Sequence, residues 1–577
     1  MTSILSKGLK HSIETPDVSN LVIFNAYKRF SNSLLWQIHF KDQEDDNFFN
    51  PKLYKAMKPF LPCPKECYPL QKSEHPAFLS TEKHKKQLMK LLRLNPASRS
   101  SGSELRNIQL KLKQFPLVKF IASDKNLGLV ALDVEYYTSM VLSHLFNVNN
   151  YTHICPFDER LSKDNLSSAM QEMHDMILES KPNDTFLRKF FNVQKDFDIP
   201  KFHVLIKLHK WKDRSLLAPS RPIAGAVNWI TTFTSIYLTE ELTPYINSDV
   251  VLKNSGQLIE NIDSFNSNPI DFKFIVTWDV EALYPSIDLN TLYTRVLLGK
   301  PSIITTMAQF IFDNSIVSFN GRLYHQTNGI AMGTNCAVVI ANLYMQTLID
   351  CHFATNPKVL LYKRFIDDMF HLWSGTHDEF LLFYNEINNL VPGLRFTYKL
   401  SPTSIEFLDL QLINLDGKIH FHLFQKELNK YAYLTPLSCH PRATIHGFIK
   451  GELIRIMRSS STIYYYEKFR DLFLIRLLQR GYTFKVLNNI FKLPYRRHYQ
   501  MPATIQSSKI LPLIIPFTRR IGIDDKLKEL VRNITPDIIP FLPTHKPMLV
   551  YSMVANILST FTSSSLSPEQ STYLEKL

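Results

Sequence analysis

Two adjacent acids inside an apolar stretch restrict the possible folds of this chain more than any other feature. Asp367 and Asp368 lie within VLLYKRFIDDMFHLW, residues 359 to 373, where the flanking residues favour strands. Buried carboxylates are costly unless something neutralises them, and an ordinary hairpin turn would favour Asn-Gly or Asp-Gly. The stretch therefore predicts two strands that meet at an acidic tip. Taken alone, the pair suits either a solvated turn or a site for Mg²⁺, which prefers carboxylate oxygens.

A third acid ends another apolar run. FKFIVTWDV, residues 272 to 280, predicts a buried strand with Asp279 near its end. If this strand and the acidic hairpin are neighbours in one sheet, Asp279, Asp367 and Asp368 converge. Two divalent cations held there could clamp the attacking and leaving oxygens of a phosphoryl transfer. Tyr284 would then place an aromatic ring beside the site.

The overall charge indicates the kind of partner on which such a site would act. The 577 residues include 66 Lys and Arg against 52 Asp and Glu, a formal net charge of +14. This excess favours a polyanion, nucleic acid first and an anionic membrane surface second. Hydrophobic residues make up 45%, which excludes wholesale disorder. The chain lacks G-x-G-x-x-G and G-K-S/T motifs, so dinucleotide-binding and P-loop folds are disfavoured.

The six cysteines are too sparse for a disulfide framework. Cys63 and Cys67 have nearly the spacing of zinc ligands and His75 lies downstream, but no second pair completes such a site. Zinc at these cysteines is therefore the less favoured interpretation. No run approaches the roughly 18 apolar residues of a membrane helix, and the N-terminus lacks the apolar core of a secretion signal. We expect no membrane partner and a reducing intracellular compartment.

The apolar pattern changes along the chain from helical to mixed and back. Residues 1 to 115 are predicted to be mainly helical, with apolar positions at helical spacing over 21 to 40 and a short basic amphipathic stretch at 82 to 94. The polar stretch 95 to 104 predicts a linker. Strand patterns begin at 116, while residues 336 to 353 predict a helix. After 427 the chain is helical and basic. Arginines cluster there around three consecutive tyrosines, Tyr464 to Tyr466: Arg455, Arg458, Arg470, Arg476, Arg480, Arg496 and Arg497.

Four segments carry a resemblance to a known family. In chain order they are TWDVEALYPSI (277 to 287), HQTNGIAMGTNCAVVIANLYM (325 to 345), RFIDDMFHLW (364 to 373) and IEFLDLQL (405 to 412). They resemble the first catalytic motif, the template- and nucleotide-positioning motif, the second catalytic motif and the strand before the primer grip of reverse transcriptases. The resemblance is strongest to the Penelope-like retroelement reverse transcriptases, which share features with telomerase.

The resemblance extends beyond these catalytic segments to roughly residues 5 to 550. The further matching segments are LSKGLKHSIETPD (5 to 17), ASDKNLGLVALDVEYY (122 to 137), KFHVLIKLHKWKDRSLLAPSRPIAG (201 to 225) and YAYLTPLSCHPRATIHGFIKGELIRIMR (431 to 458). They are similar to the family's opening segment, its two fingers motifs and its linker into the thumb. Several such motifs in the same order make a coincidence very improbable.

The resemblance implies an α+β fold of the right-hand polymerase type with a helical N-terminal region. The expected division is an N-terminal helical region at 1–115, fingers at 116–265, a palm with part of the fingers at 266–425, a helical thumb at 426–500, and a C-terminal extension at 501–577.

The resemblance also implies a metal site. Asp279, Asp367 and Asp368, with the carbonyl of Val280, would hold two Mg²⁺ ions, for which Mn²⁺ could substitute. Tyr284 would be the steric gate that rejects a ribose 2′-hydroxyl, because a bulky ring at that place disfavours ribonucleotides. Core packing is the other interpretation of Tyr284.

Further residues would contact the incoming nucleotide. Arg221 and Lys125 would bind its triphosphate, since a guanidinium fork suits phosphate; the alternatives are a turn anchor for Arg221 and a solvated lysine for Lys125. The segment from Gln326 to Gly333 would shape the nucleotide pocket. Lys399 would donate a proton to pyrophosphate, although a solvated lysine at a strand end is the favoured interpretation. For Asp409 in FLDL, a structural role is preferred to a catalytic one.

The chain departs from the family pattern in several places. The second catalytic motif has Phe365 where Tyr is usual, which removes no metal ligand. Cys336 and its neighbours stand where the family often has Ser-Pro, which predicts altered template contacts and sensitivity to thiol reagents. Most members end in a GIY-YIG endonuclease, and no such motif is found after residue 500. This favours an endonuclease-lacking element or a truncated copy, with nicking possible by a separate protein.

The implied activity is RNA-directed DNA polymerisation, with RNA template, DNA primer and dNTPs as partners. One alternative is a domesticated, telomere-associated reverse transcriptase that extends exposed 3′ ends. Another is a catalytically inactive nucleic-acid-binding remnant. The family implies a nuclear location, with the cytoplasm as the alternative. The sequence leaves the oligomeric state, the natural template and the primer source undetermined.

Overall fold

The structure is a computed structural model. It describes residues 10–12, 19–39, 50–57, 75–94, 110–155, 158–194, 196–213, 215–426, 429–495, 509–517, 523–543, 545–552, 556, 559, 561–563 and 565–575. Cys63 and Cys67, the 95–104 linker, Arg496 and Arg497 lie outside these ranges, as does most of the 5–17 segment.

Helices and strands are both abundant, and the predicted α+β fold is confirmed at this level. The strands are β1 Val118–Ala122, β2 Leu129–Asp133, β3 Tyr151–Ile154, β4 Phe202–Ile206, β5 Ser220–Ala224, β6 Phe274–Val280, β7 Ile316–Phe319, β8 Arg322–Gln326, β9 Val359–Phe365, β10 Asp368–Trp373, β11 Phe396–Ser401, β12 Ser404–Phe407, β13 Leu410–Leu415, β14 Lys418–Leu423, β15 Lys509–Pro516 and β16 His545–Ser552. The helices before residue 300 are α1 Asn20–His39, α2 Pro51–Met57, α3 Pro76–Leu94, α4 Val134–Leu145, α5 Lys163–Ser180, α6 Thr185–Asn192, α7 Thr232–Leu242, α8 Ser255–Ser267, α9 Leu283–Ser286 and α10 Leu289–Thr291. Those that follow are α11 Ser302–Asp313, α12 Ala337–Met345, α13 Cys351–Thr355, α14 His377–Leu390, α15 Arg442–Arg458, α16 Ile463–Gln479, α17 Phe484–Phe491, α18 Ile523–Ile538 and α19 Pro568–Glu575.

A four-stranded antiparallel sheet, in the order β11-β6-β10-β9, lies at the centre of the chain. Side chains alternate between its two faces. Trp278 on β6 points into the largest core, against aromatic rings of α13 and α14 such as Phe353 and Phe380. Ile275 on β6 and Phe370 on β10 lie in a second core, shared with the three-stranded sheet β12-β13-β14 and α8. The sheet is therefore covered on both faces, which fixes its register.

The helix predicted over 336 to 353 is present. α12 continues through a π-helical turn, Gln346–Asp350, into α13. Within the described part of the chain, the stretch Ala337–Thr355 is the one helix long and apolar enough by composition to cross a membrane, and 67% of it is buried inside the fold. Its apolar residues pack in the same core as Trp278, as those of a core helix do.

Strands β1 to β5, β7 and β8 form small sheets around one further core. β1 pairs with β2 and β4 with β5, while β8 lies between β3 and β7. Apolar residues of these strands and of α4 form a common cluster that includes Tyr137, Phe202 and Tyr324. The strand, turn and strand predicted after residue 116 are confirmed as β1 and β2. Farther along the chain, α15, α16 and α17 enclose a separate helical core.

The two ends of the chain share one core. Helices α1 and α3 pack against α18 and the parallel pair β15-β16, and Ile23, Leu88, Leu513 and Leu527 all lie in the same buried cluster. The last helix is also anchored near β1, because Gln570 donates to the carbonyl of Pro116 over 3.0 Å. The sequence division into 1–115 and 501–577 gave no sign of this pairing, since local patterns do not identify distant packing partners.

Candidate active site

The three predicted acids come together at one end of the central sheet. Asp368 at the start of β10 lies directly opposite Asp279 near the end of β6 in the antiparallel register. Residues so paired have Cβ atoms roughly 4.5–5.5 Å apart on one face of the sheet. Strands β9 and β10 are joined by two residues only, because Phe365 pairs with Asp368, so Asp367 lies in the turn itself. The predicted acidic hairpin is thus present.

The turn has an unusual backbone conformation. Ile366, its first residue, has a φ of 59°, in the left-handed region. A β-branched residue is a clear outlier there, and such strain costs roughly 1–3 kcal/mol unless the surroundings impose it. This conformation sets the direction of the chain as it leaves Ile366, and with it the placement of the two adjacent carboxylates, Asp367 and Asp368. The absence of Asn-Gly or Asp-Gly is visible in the sequence, but the contacts that hold Ile366 are not.

The carboxylates repel one another electrostatically. Burial raises the pKa of Asp368 to about 6, and the charges of Asp367 and Asp279 add to the rise, while Lys125 and Lys426 oppose it. Burial also raises the pKa of Asp367; the nearby Asp279 adds to this, and Arg221 opposes it. A divalent cation would relieve both effects, because it replaces lost hydration and neutralises the like charges.

These acids suit a divalent cation in chemistry and placement. Three carboxylates supply the hard oxygen ligands that Mg²⁺ takes, and burial together with neighbouring negative charge raises the pKa values of Asp367 and Asp368. Over the described residues, no three His, Cys, Asp or Glu side chains are already gathered in a metal-binding arrangement. The side chain of Val280 is buried, and a role for its carbonyl as a ligand stays a prediction.

A cationic group faces the acids from the region around β1 to β5. Arg221 on β5 donates from Nη2 to the Asp124 carboxylate at 3.4 Å, and its Nε is buried without a hydrogen-bond partner. Lys125 is exposed with a φ of 61°, in the short turn that also holds Asp124. Burial lowers the pKa of Lys207, and the charges of Arg221 and Lys210 lower it further. Asp124, Lys207 and Lys210 lie in the segments that resemble the fingers motifs, but no pattern in those segments predicted a role for them.

Tyr284 is close enough to both Asp367 and Arg221 to feel their charges. Its ring is half-buried, and burial raises the pKa of its hydroxyl, with the Asp367 charge adding to this and Arg221 opposing it. The carbonyl of Tyr284 accepts a hydrogen bond from the amide of Ile330 at 2.8 Å. The ring therefore lies at the site of charge, while its backbone is tied to the loop after β8.

Two glycines allow that loop to approach its neighbours. A Cβ on Gly329 would lie 2.7 Å from Cα of Pro285, and one on Gly333 would lie 2.7 Å from the Ala224 carbonyl oxygen. Both glycines have a positive φ, 73° and 122° respectively. Larger residues would separate the loop from the Tyr284 segment and from the end of β5. A role of this loop in shaping the nucleotide pocket stays a prediction.

Other predicted residues are engaged within the protein. Gln326 is 3% exposed; its Oε1 accepts from the Tyr151 hydroxyl at 3.2 Å and its Nε2 donates to the Asn328 carbonyl at 3.1 Å. This amide fixes the start of the glycine loop, and nucleotide contact by Gln326 stays a prediction. Lys399 on β11 forms an ion pair with Glu406. A proton-donor role for Lys399 would require that pair to open.

Several residues around the site differ from expectation. Cys336 was expected to react with thiol reagents, but it is 0% exposed and burial raises the pKa of its thiol to about 12. It carries almost no thiolate near neutrality, so that expectation was wrong. Asp409 accepts hydrogen bonds from Ser255 and from Arg455 at 3.1 Å, as a structural acid does.

Many of the clustered arginines after residue 430 are occupied within the protein. Arg455 bonds to Asp409, and Arg476 donates to Gln425 at 2.7 Å and lies over the Tyr431 ring. Arg480 donates to the carbonyl of Tyr433 at 2.8 Å. Among the tyrosines, Tyr464 is exposed and Tyr466 is buried in the helical core. The basic tract thus contributes to folding as well as to surface charge.

Comparison with known proteins gives likenesses in structure only. No protein-family model and no curated protein matches the sequence. The telomerase of Candida albicans, in complex with a TWJ fragment of telomeric RNA, is 11% identical, with 81% of this chain and 71% of that chain covered and a TM-score of 0.45. Apo telomerase from Candida tropicalis is 10% identical, with 92% and 94% covered and a TM-score of 0.41. The BmCPV RNA-dependent RNA polymerase at its elongation state is 12% identical, with 66% and 38% covered and a TM-score of 0.31. With TM-scores below 0.5, these likenesses carry no argument about activity, and function is inferred from the residues of the site.

Proposed function

We propose that this chain is a nucleic-acid polymerase of the reverse-transcriptase class, which adds dNTPs to a primer 3′-hydroxyl on an RNA template. The observation that carries the proposal is the register of Asp279 opposite Asp368, with Asp367 in the adjoining two-residue turn. This arrangement presents three hard-oxygen ligands at one sheet end. The finer assignment to a Penelope-like retroelement rests on the motifs resembling that family.

Divalent metal would supply the phosphoryl-transfer chemistry. Mg²⁺ at Asp279, Asp367 and Asp368 would lower the pKa of the primer hydroxyl and stabilise the leaving pyrophosphate. The protein's own part is to hold the three carboxylates together at one end of a rigid sheet. Burial and like charge raise the pKa values of Asp367 and Asp368, and a divalent cation would relieve both effects.

The residues opposite the acids would bind and select the nucleotide. Arg221 has an unsatisfied buried Nε and an exposed portion of side chain, so it retains capacity for phosphate oxygens. Lys125 adds a second cation in the adjacent turn. Tyr284, fixed through its carbonyl to the glycine loop, would place its ring where a ribose 2′-hydroxyl projects. DNA would therefore be the product.

Primer extension tests the proposal. Purified protein, dNTPs and Mg²⁺ would be combined with RNA and DNA templates in parallel, together with the Asp367→Ala and Asp368→Ala variants. We expect extension on RNA that both substitutions abolish. The matched control is Asp196→Ala, an exposed aspartate paired with Lys163 at 3.3 Å and far along the chain from the site. Tight template binding without incorporation, under either Mg²⁺ or Mn²⁺, would instead favour the inactive binding remnant.

Primer preference separates a retroelement enzyme from a telomere-associated one. Strong extension of single-stranded G-rich overhangs would favour the telomere-associated alternative, and indifference to the 3′ end would count against it. We also propose nuclear residence, which imaging of a tagged chain would test against a cytoplasmic location. A nicking endonuclease supplied by another protein belongs to the same proposal.

A further inference from the structure

A buried ion pair lies directly beneath the acidic turn. Arg364, on β9 two residues before Ile366, is 0% exposed, and Asp350 in the π-helical turn is almost as buried. Arg364 donates from Nε to Asp350 Oδ1 at 2.9 Å and from Nη2 to Oδ2 at 2.8 Å. The Tyr362 hydroxyl also donates to Asp350, at 2.7 Å. None of these residues belongs to the three-acid site.

The remaining guanidinium donors are all used. Nη2 donates to the Asn342 carbonyl at 3.1 Å, and Nη1 donates to Asn342 Oδ1 at 2.8 Å. The last donor, also on Nη1, reaches the carbonyl of Ile366 at 3.0 Å. Arg364 thus satisfies its five N–H groups in a fixed fork. Because Asp350 balances its charge, Arg364 acts on the turn through geometry and not as a counter-ion to the acids.

The bond to Ile366 falls where the backbone is least favourable. Ile366 has a φ of 59°, a conformation that glycine adopts readily but isoleucine does not. Its carbonyl group belongs to the peptide that joins Ile366 to Asp367. A donor fixed against that carbonyl therefore sets the orientation of the peptide from which the acidic pair projects.

The helix geometry places both partners of Arg364 on the same side. In a regular α-helix, residues eight positions apart, such as Asn342 and Asp350, differ by about 80° around the axis. The π-helical turn Gln346–Asp350 contributes an extra residue and reduces that difference. Both residues can then face one guanidinium. Such turns occur frequently at functional sites.

We propose that Arg364, held by Asp350 and Asn342, is a positioning residue that keeps the Ile366–Asp367 peptide in the orientation needed for divalent-metal binding. This inference rests on the proposed polymerase function. It predicts that loss of the Arg364 guanidinium weakens metal binding. The decrease in metal affinity should be smaller when residue 366 is a glycine, which adopts a positive φ without support.

The test measures metal affinity directly. Mn²⁺ would be titrated into the full chain while the electron paramagnetic resonance signal of free Mn²⁺ is followed. We expect Arg364→Lys to weaken Mn²⁺ binding about tenfold, and less than about threefold in an Ile366→Gly background, a coupling typical of residues in contact. Primer extension at saturating dNTP should fall in parallel with unchanged KM for dNTP. Equal losses in both backgrounds would overturn the proposal.

Further variants separate positioning from general destabilisation. Leu453→Ala removes a fully buried side chain from α15, in the separate helical core, and should lower thermal stability without changing Mn²⁺ affinity. Asn342→Ala removes one acceptor while leaving the Asp350 pair intact, and should weaken Mn²⁺ binding about threefold. If Arg364→Lys does not fold, Asn342→Ala is the variant that tests the proposal. Unchanged Mn²⁺ affinity in Asn342→Ala would then refute the inference.

Failure of the proposed function would look different. If the native chain bound Mn²⁺ no better than Asp368→Asn and extended no primer, the polymerase proposal itself would fail. If the native chain bound Mn²⁺ and extended primers, and Arg364→Lys did both equally well, only the positioning role of Arg364 would be wrong.

Discussion

Replacing Asp368 by Asn should stabilise the metal-free protein while abolishing its activity. Burial, Asp367 and Asp279 raise the pKa of this carboxyl from 3.8 to about 6 in the folded chain. Each pKa unit corresponds to about 1.4 kcal/mol, so the ionised carboxylate costs about 3 kcal/mol of folding free energy at most. Asn retains the shape of Asp without the charge. The expected gain is therefore 1 to 3 kcal/mol, on the order of the calculated cost.

The gain should depend on pH in one direction. The folded pKa lies above the unfolded value, so the folded state binds the proton more tightly, and the destabilising charge is fully present above about pH 6. As pH falls through 6 towards 3.8, protonation removes the cost from the native protein. The stability difference between Asp368→Asn and the native chain should thus be largest at pH 8 and disappear near pH 4.

Urea denaturation in EDTA, followed by tryptophan fluorescence, measures this difference because Trp278 is buried on β6 beside the site. Asp196→Asn is the matched control, since its exposed pair with Lys163 should contribute at most about 1 kcal/mol. Added Mg²⁺ should stabilise the native chain more than Asp368→Asn. A variant no more stable than the native chain at pH 8, or one whose gain is the same at pH 8 and pH 4, would refute the electrostatic argument.

The remaining predictions concern the residues facing the acids. Gly333→Ala forces a contact with the Ala224 carbonyl at a φ of 122° and should cost about 2 kcal/mol in urea denaturation, whereas Gly417→Ala, in an open turn, should cost less. Tyr284→Ala should lower the preference for dNTPs over rNTPs about tenfold in single-nucleotide incorporation; unchanged selectivity would leave Tyr284 as a packing residue. Arg221→Lys should raise the KM for dNTP about tenfold through loss of the fork-shaped contact, without changing primer affinity in a filter-binding control. Thiol reagents should leave activity intact in the folded chain because Cys336 is buried with a pKa of about 12, and inactivation prevented by Cys336→Ala would contradict this.

Local sequence patterns correctly predicted the elements that carry the site. The apolar run ending at Asp279 became β6, and the stretch around Asp367 and Asp368 became the β9–β10 hairpin. The helix over 336 to 353 was also predicted correctly from the spacing of its apolar residues. Alternation and helical spacing are properties of neighbouring residues, so they can be recognised without knowledge of the partners. Acids within such an apolar strand can also be recognised as candidate functional residues, because burying a carboxylate costs free energy.

The tertiary structure decided which distant residues meet. Nothing in the pattern around Arg364 showed that its charge would be balanced by Asp350 across a π-helical turn, or that its fork would hold Ile366. The same is true of the common core in which α1 and α3 pack against α18 and β15, more than four hundred positions farther along the chain. These contacts depend on strand register and packing between separate elements. A single sequence therefore determined the elements and the chemistry of the acids, whereas only the folded chain determined their alignment, because register and burial are set by long-range packing.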